Sequence, residues 1–266
     1  MRLCWRTRND RGSLLAWLFL VLTLASPARS EETDSEPGVE PETAQEETTS
    51  RSPLSSLIFA SLEAGQAKTF AAIGWKRALT GSLSTSGFRS LIKVGGSKEL
   101  VSRTPPYGFA YKSEAQALLG YEWRIGDSFV SLYAGSDYET EQGSRRGRPL
   151  MRSAYGARIQ GDLWMMPFPD MTLQGSAYLS TVDRRVWTRV AGGMMLPQEM
   201  RPSWLEGVHF GPEAEFFRQR GYTKLRLGLH ATGLKLFGLS WRLSAGLEQA
   251  AGRSEAYGTL GLHWLR

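Results

Sequence analysis

Polar and charged side chains recur at every second position along several segments, and these residues have the chemistry to bind a ligand. Between Tyr111 and Ile125, for example, Lys112, Glu114 and Gln116 alternate with small or aromatic residues. Alternate side chains of a β-strand point to opposite faces, so such a segment has one polar and one apolar face. We assign to one shared interior Lys112, Glu114, Gln116, Glu122, Arg124, Arg152, Arg158, Gln160, Asp162, Gln174, Tyr178, Arg189, Glu213, Glu215, Lys224, Arg226, His230, Arg242 and Glu248.

This polar set has two interpretations. Its carboxylates, amides and guanidinium groups offer hydrogen-bond donors and acceptors together, which suits the hydroxyl groups of a glycan, with aromatic side chains as stacking surfaces. The alternative is an interior closed by salt bridges between its acids and bases. Small barrels fill their interiors with side chains, whereas barrels of about sixteen strands leave a channel. With both signs of charge plentiful, the sequence favours a partly filled lumen.

Catalytic and metal chemistry are weakly represented. His209, His230 and His263 lie on separate segments, without the converging ligands that a metal requires, so we predict no metal site and no cofactor. His230 and Thr232 share one face, which allows a hydroxyl nucleophile and its base. No third group that would orient the base lies nearby in the sequence. Two ordinary lumen residues are therefore the favoured interpretation, and we predict no catalytic residue and no enzymatic activity.

A basic run, Arg145, Arg146 and Arg148, lies in a polar link between two segments. The planar guanidinium fork binds phosphate well, so a contact with lipopolysaccharide phosphates outside the cell is one hypothesis. A solvated loop is the other. Further arginines expected on the same side are Arg184, Arg185, Arg218 and Arg220.

The alternation of polar and apolar residues predicts an all-β chain of about twelve antiparallel strands. The predicted strands are 56–63, 68–79, 87–95, 109–125, 128–138, 150–166, 171–181, 186–196, 206–217, 222–235, 239–249 and 256–266. Tight links at 126–127, 167–170 and 237–238 follow even-numbered strands, whereas the long polar links 96–108 and 139–149 follow odd-numbered ones. The link 197–205 is an exception. Short turns on the periplasmic side and longer loops outside are typical of transmembrane barrels.

Strand length argues for closure within a membrane. The segments 109–125 and 150–166 are longer than the usual globular strand of about five to six residues, whereas a tilted transmembrane strand needs about nine to eleven. Lipid offers no water to an open sheet edge, so the sheet must close on itself. A soluble sandwich is the alternative. Aromatic residues near the strand ends suit an interfacial girdle, namely Tyr111, Tyr121, Trp123, Trp164, Trp241 and Trp264.

Residues 1–28 have the pattern of a signal peptide, with four arginines before the apolar run Leu14–Leu24. Residues 29–54 are predicted to be a disordered acidic linker, since 31–50 contain eight acids and no base. The barrel, 55–266, is basic: 27 basic and 17 acidic residues lie in 51–266. In an exported chain this charge favours anionic lipid or polysaccharide neighbours over nucleic acid. Cys4 is the only cysteine, so the mature chain is expected to contain no thiol.

Several short phrases, in order along the chain, resemble the BcsS family of cellulose biosynthesis proteins. They are Gly74-Trp75, Gly87-Phe88-Arg89, Gly120-Tyr121-Glu122-Trp123, Tyr133-Ala134-Gly135-Ser136-Asp137-Tyr138-Glu139, Gly161-Asp162-Leu163-Trp164, Gly211-Pro212-Glu213 and Arg226-Leu227-Gly228-Leu229-His230-Ala231-Thr232-Gly233-Leu234. The resemblance implies a protein of the Gram-negative outer membrane that takes part in cellulose production. It implies no catalytic residue.

The leading hypothesis is therefore a non-enzymatic outer-membrane barrel that helps to export or anchor a polysaccharide, with cellulose as the expected polymer. Its expected partners are outer-membrane lipids including lipopolysaccharide, cellulose, and other components of cellulose synthesis, with no nucleic acid. Two alternatives stay open. One is an outer-membrane hydrolase that modifies lipids, and the other is a general narrow porin or adhesion scaffold. The last strand, with Tyr257, Leu260 and Trp264, resembles the recognition segment of outer-membrane barrels, although that segment usually ends in an aromatic residue rather than Arg266.

Overall fold

The structure, a computed structural model, describes residues 54–66, 68–102, 108–145, 148–250 and 252–265. The predicted signal peptide and almost all of the predicted linker fall outside these residues. The described residues form twelve β-strands. They are β1 (Ser56–Gly65), β2 (Lys68–Ala78), β3 (Gly87–Ser102), β4 (Gly108–Ile125), β5 (Ser128–Arg145), β6 (Arg148–Phe168), β7 (Met171–Ser180), β8 (Arg185–Met195), β9 (His209–Gln219), β10 (Tyr222–Leu236), β11 (Leu239–Ala250) and β12 (Arg253–Leu265).

Each strand pairs antiparallel with its neighbour in the chain, and β1 pairs with β12, so the sheet is a closed barrel. The closing register places Ile58 opposite Trp264 and Gly65 opposite Tyr257. Closure pairs every strand on both sides over the part of the barrel that crosses the membrane, as a barrel in lipid requires. The predicted fold, a closed antiparallel barrel of twelve strands, is confirmed. We call the end at which β1 begins and β12 ends the proximal end, and the other the distal end.

The links at the proximal end include both tight turns and one long connection. Gly126 between β4 and β5 has a φ of +58°, and Phe237 and Gly238 between β10 and β11 have φ of +56° and +74°. Positive φ at the centre of a two-residue link matches the twist of a hairpin. The long link between β8 and β9 contains two short 3₁₀ helices, Gln198–Met200 and Ser203–Leu205. Among the described residues, no helix combines the length and apolarity needed to cross a membrane.

Two of the predicted loops are wrong. The polar links 96–108 and 139–149 are largely strand, because β3 continues to Ser102, β5 to Arg145, and β6 begins at Arg148. The β5–β6 ladder continues from the pair Phe129–Trp164 to the pair Arg145–Arg148. Backbone pairing does not require an apolar face, so a ladder can extend past the apolar band with polar residues on both sides. The distal end of the barrel therefore rises highest along β3 to β6.

The barrel has an apolar exterior and a polar interior. Large apolar side chains such as Leu119, Ile159 and Leu227 are more than half exposed on the outside, whereas charged residues such as Glu122 are buried inside. Aromatic residues form bands near both ends of this exterior. The proximal band includes Trp75, Phe88, Tyr121, Trp123, Phe168 and Trp264, and the distal band includes Phe109, Tyr111, Tyr138 and Tyr155. Tyr111 and Tyr121 lie about ten residues apart on β4, the length that a tilted strand needs to cross a bilayer.

Candidate functional site

The candidate site is the barrel lumen, and the structure brings most of the predicted polar set together there. Gln116, Glu122, Arg158, Glu213, Arg226 and His230 are all buried inside the barrel. Lys112, Glu114, Arg124, Glu215 and Arg242 join ion pairs in the same interior. The amide of Gln160 donates to the carboxylate of Asp162 at 3.1 Å. Arg152 differs, because its side chain is 47% exposed at the distal rim, where it pairs with Asp183.

A buried ionic cluster lies near the proximal end, around the carboxylate of Glu122. This side chain is fully buried and pairs with Lys76, with Arg124 at 3.0 Å and with Arg89 at 3.8 Å. Three cations around one carboxylate compensate the cost of removing it from water. The cluster links β2, β3 and β4, so it fixes these strands to one another from inside the barrel.

Arg89 also holds the link between β2 and β3 in place. Its guanidinium group donates to the backbone oxygens of Thr80 at 3.0 Å, Ser82 at 2.7 Å and Thr85. A backbone hydrogen bond of 2.8 Å from Leu83 to Leu54 adds to this anchoring, and Leu83 is buried. Arg89 itself is 0% exposed. The segment 79–86 is therefore fixed over the Arg89 side chain at the proximal end of the lumen, with Ser82 and Leu83 buried.

A small apolar core lies inside the otherwise polar lumen. Leu91, Leu118 and Tyr133 are buried against one another, with the ring of Phe59 packed on them. Glycine makes this possible, since a Cβ added at Gly74 would lie 2.1 Å from the Phe59 ring. Close packing of this kind excludes water from this part of the lumen.

A second ionic cluster surrounds Asp137 of β5. The Asp137 carboxylate accepts hydrogen bonds from Arg158 at 3.1 Å and from Arg185 at 2.8 Å, and Ser180 also donates to it. Arg185 bonds Glu139 at 2.8 Å as well. All of these side chains are almost fully buried. The cluster joins β5, β6 and β8 across the lumen.

A third cluster closes the distal part of the lumen between β1, β9, β10 and β11. Arg226 pairs with Glu63, with Glu215 at 3.4 Å and with Glu248 at 2.5 Å. Lys224 lies within 3.6 Å of Glu63 and 3.4 Å of Glu215. Two cations and three carboxylates thus share one buried network. Because Glu63 is on β1, this network holds the seam at which the barrel closes.

On the lumen wall formed by β7 to β10, several buried polar atoms lack protein partners. The Thr172 hydroxyl, the Gln174 amide nitrogen, the Arg189 Nε and both ring nitrogens of His230 have no hydrogen-bond partner among the described residues. His209 Nε2 is in the same situation. A Cβ placed on Gly193 would lie within 3.3 Å of Thr172, His209 and His230, so these groups converge there. This wall has hydrogen-bonding capacity available for water or hydroxyl groups.

The side chains of the predicted pair, His230 and Thr232, are both buried at this wall of the lumen. The structure gives His230 no carboxylate within hydrogen-bond distance among the described residues. A histidine base is normally oriented by such a group. Within the same residues, no three histidine, cysteine or acidic side chains gather as metal ligands.

The arginines predicted to lie outside have several locations. Arg146 lies outside the described residues, as do the side chains of Arg145 and Arg148. Arg184, Arg218 and Arg220 are exposed near the distal end. The prediction that Arg185 lies outside with these arginines is wrong, because its side chain is only 3% exposed and belongs to the Asp137 cluster. The reason is that β8 begins at Arg185 and directs this residue inward, while Arg184 is still in the turn.

The cluster residues Lys76, Arg89 and Asp137 were not among the predicted site residues. Arg89 and Asp137 lie in phrases that carry the family resemblance, and Lys76 alternates with the outward-facing Trp75. These sequence features could have identified the three residues. The burial of these residues follows from the pairing of their strands, which places Asp137 beside Gln116 and Arg89 beside Gly120.

These features define a transmembrane β-barrel of the outer-membrane type, with an apolar exterior and a charged interior in which most of the charged side chains form ion pairs. The family model described as cellulose biosynthesis protein BcsS matches residues 57–266, and the chain belongs to this family. The protein is thus an outer-membrane barrel associated with cellulose biosynthesis. No curated protein matches the chain.

Among solved structures, the translocator domain of autotransporter NalP from Neisseria meningitidis is similar, with a TM-score of 0.48, 12% identity and coverage of 81% of this chain and 89% of that chain. The β-domain of the Bordetella autotransporter BrkA is similar with a TM-score of 0.47 and 13% identity, and the match covers 80% of this chain and 100% of that chain. LpxR from Salmonella typhimurium is similar with a TM-score of 0.46 and 11% identity, and the match again covers 80% of this chain and 100% of that chain.

Proposed function

We propose that the barrel is a non-enzymatic anchor in the outer membrane that holds cellulose or the cellulose-producing machinery at the cell surface, rather than a conduit through which the polymer passes. The observation that carries this proposal is the packing of the lumen. Charged side chains that would line a channel are instead buried: Arg89 and Glu122 are 0% exposed and Arg226 is 2% exposed.

Opening such a lumen would be costly. A passing polymer would have to displace the segment 79–86 from its hydrogen bonds with Arg89 and separate at least one of the ionic clusters. Breaking a buried ion pair by removing one partner costs roughly 3–5 kcal/mol. Several such pairs would be broken along the path, and a neutral glucan offers no charge to replace them. Anchoring requires none of these changes.

The two ends of the barrel offer different surfaces to partners. We assign the proximal end to the periplasm, because the hairpins of β3 to β6 extend past the apolar band at the distal end, and such extensions are typical of the outside. Link length does not set this assignment, since the long links 79–86 and 196–208 both lie at the proximal end. Components of cellulose synthesis would then dock at the proximal end, and the polymer would be held at the distal hairpins.

The alternatives receive less support. A lipid-modifying hydrolase would need an oriented base, and His230 has no hydrogen-bond partner among the described residues. A narrow porin would need a continuous aqueous path, which the Asp137 and Arg226 clusters oppose. Buried polar atoms without a protein partner, such as those of Thr172 and Gln174, would suit a hydroxyl-rich ligand.

Planar-bilayer conductance separates an anchor from a pore. The purified full chain is expected to give no steady ion current. The combined variant R89S/D137S/R226S loosens the segment 79–86 and both of the other clusters, so it is expected to conduct. Heat-modifiable gel migration verifies that the silent wild type is a folded barrel. The exposed variant R218Q is the matched control and should remain silent. A steady current through the wild-type protein would contradict the proposal and favour the porin.

Cellulose retention tests the role in the cell. In a cellulose-producing bacterium without the chromosomal copy, an anchor predicts unchanged total cellulose and a smaller fraction attached to the cells. A conduit predicts cellulose trapped inside the envelope instead.

The variants H230A and T232A, assayed for lipid turnover beside the wild type, test the hydrolase. Turnover by the wild type that is lost in both variants would overturn the non-enzymatic assignment.

A further inference from the structure

A small pocket lies at the distal rim, at the step where β6 rises past the short β7–β8 turn. Its volume is about 300 Å³, the lower end of the range for ligand sites. Arg152 of β6, Asp183 and Arg184 of the turn, and Arg220 of the β9–β10 turn line it, with Tyr155 below. Three of these five side chains are guanidinium groups from three different hairpins.

The pocket has a positive charge that its own acid does not cancel. Arg152 donates two hydrogen bonds to the carboxylate of Asp183, which neutralises one cation. These hydrogen bonds raise the pKa of the Arg152 guanidinium above its ordinary value. Arg184 and Arg220 are exposed, and among the described residues neither has an acidic partner. Two guanidinium groups thus remain available to an anion.

The turn that carries these residues is held in an unusual conformation. Asp183 and Arg184 have φ of +53° and +51°, a region that residues other than glycine adopt rarely. Backbone hydrogen bonds from Thr181 to Ala157 at 2.9 Å and from Arg220 to Asp183 at 3.0 Å fix it. Backbone strain of this kind persists where the surrounding structure holds it, often at binding sites. Here it brings Arg184 close to Arg220.

The level of the pocket in the membrane points to its ligand. Tyr155 is 80% exposed on the outer surface and packs against Tyr138, with ring centroids 4.4 Å apart and the rings tilted by 32°. Tyrosine pairs on the outside of a barrel are typical of the headgroup level. Met165 follows Tyr155 by ten residues along β6, toward the proximal end, and this is the length of one membrane crossing.

We propose that this rim pocket binds a phosphate group carried by a lipid headgroup of the outer leaflet. The planar fork of arginine matches phosphate geometry, and two unpaired forks can hold one phosphate between them. The Asp183 carboxylate orients Arg152 and leaves the remaining face of the pocket positive. This inference does not rest on the anchoring role, since it concerns the outside of the rim and not the lumen.

Vesicle binding tests it. The full chain in detergent is mixed with phosphatidylcholine vesicles that contain lipid A with its two phosphates, or the same lipid without phosphate. The variant R184N/R220Q removes both free cations, and asparagine tolerates the positive φ at position 184. The control R218Q/R253Q removes the same charge from exposed positions at the same end. We expect the pocket variant to weaken binding of phosphorylated lipid about tenfold or more, and the control to change it little.

Several results would overturn the proposal. Equal losses in both double variants would mean that general surface charge, and not the pocket, attracts the lipid. Equal binding of the phosphate-free lipid would exclude phosphate as the recognised group. Inorganic phosphate that competes at micromolar concentration would identify a soluble phosphate as the ligand. Heat-modifiable gel migration verifies folding, and R220Q alone, at an exposed turn, provides the test if the double variant does not fold.

Discussion

The Asp137 cluster gives the sharpest test of a closed lumen, through the substitution Asp137→Ala. Asp137 accepts hydrogen bonds from Arg158 at 3.1 Å and from Arg185 at 2.8 Å. After its removal Arg185 keeps Glu139 at 2.8 Å, but Arg158 loses the only acid with which it pairs among the described residues. One buried cation without a partner should cost roughly 3–5 kcal/mol in the free energy of unfolding.

Two further variants make this measurement specific. D137A/R158M removes the cation together with the acid, and methionine fills most of the space of the arginine. This variant should recover most of the lost free energy of unfolding, because no buried charge is left without a partner. Arg152→Ala removes an ion pair at the rim whose arginine is 47% exposed, and it should cost no more than about 1 kcal/mol. Urea unfolding in lipid micelles, followed by tryptophan fluorescence, provides the three free energies.

A cost below about 1 kcal/mol for D137A would refute the reasoning, since a cation that is so easily left alone must be in contact with water. The lumen would then be hydrated at the level of Asp137. The proposal of an anchor would lose its main support, and a conducting pore would become the better interpretation.

Two other predictions concern packing and the membrane. Gly74→Val should destabilise the barrel by about 1–3 kcal/mol, because its Cβ would overlap the Phe59 ring, whereas Gly161→Ala, whose Cβ would lie 3.6 Å from the nearest atom, should be nearly neutral in the same unfolding assay. Leu227→Arg, on the outer face and 58% exposed, should cost about 2–4 kcal/mol in a bilayer, while Phe237→Arg, in a proximal turn and 93% exposed, should cost about 0–1 kcal/mol. Equal costs at Leu227 and Phe237 would argue against the assigned membrane level.

The fold was predictable because its signal is local. A strand that separates lipid from a polar interior must alternate, so β4 and β10 are visible in the sequence without any partner. The distal extensions of β3, β5 and β6 were not, because above the membrane neither face has to be apolar and the alternation disappears. Only the backbone ladder, which has no sequence signature there, continues the strand.

The ionic clusters were only half predictable. Parity indicates that Arg226 and Glu63 face the same side, but their contact spans 163 residues and exists only because β1 closes against β12. Which acid meets which base is set by the register of all the strands between them. Arg185 shows that even local predictions can fail, because the start of β8 is one residue earlier than predicted. That one residue decides whether the side chain is exposed at the rim or buried in the lumen.

The distribution of charge separates the two proposed roles. Acids of the lumen such as Glu122 and Asp137 are each shared by two or three bases, so most cations of the interior have an acidic partner. Arg184 and Arg220, which have no acidic partner among the described residues, lie at the exposed rim, where anionic lipid is found. Cellulose has no charge, so it gains nothing from these arginines. R184N/R220Q should therefore weaken lipid binding and leave cellulose retention unchanged, and a joint loss of both would mean that one surface serves both partners.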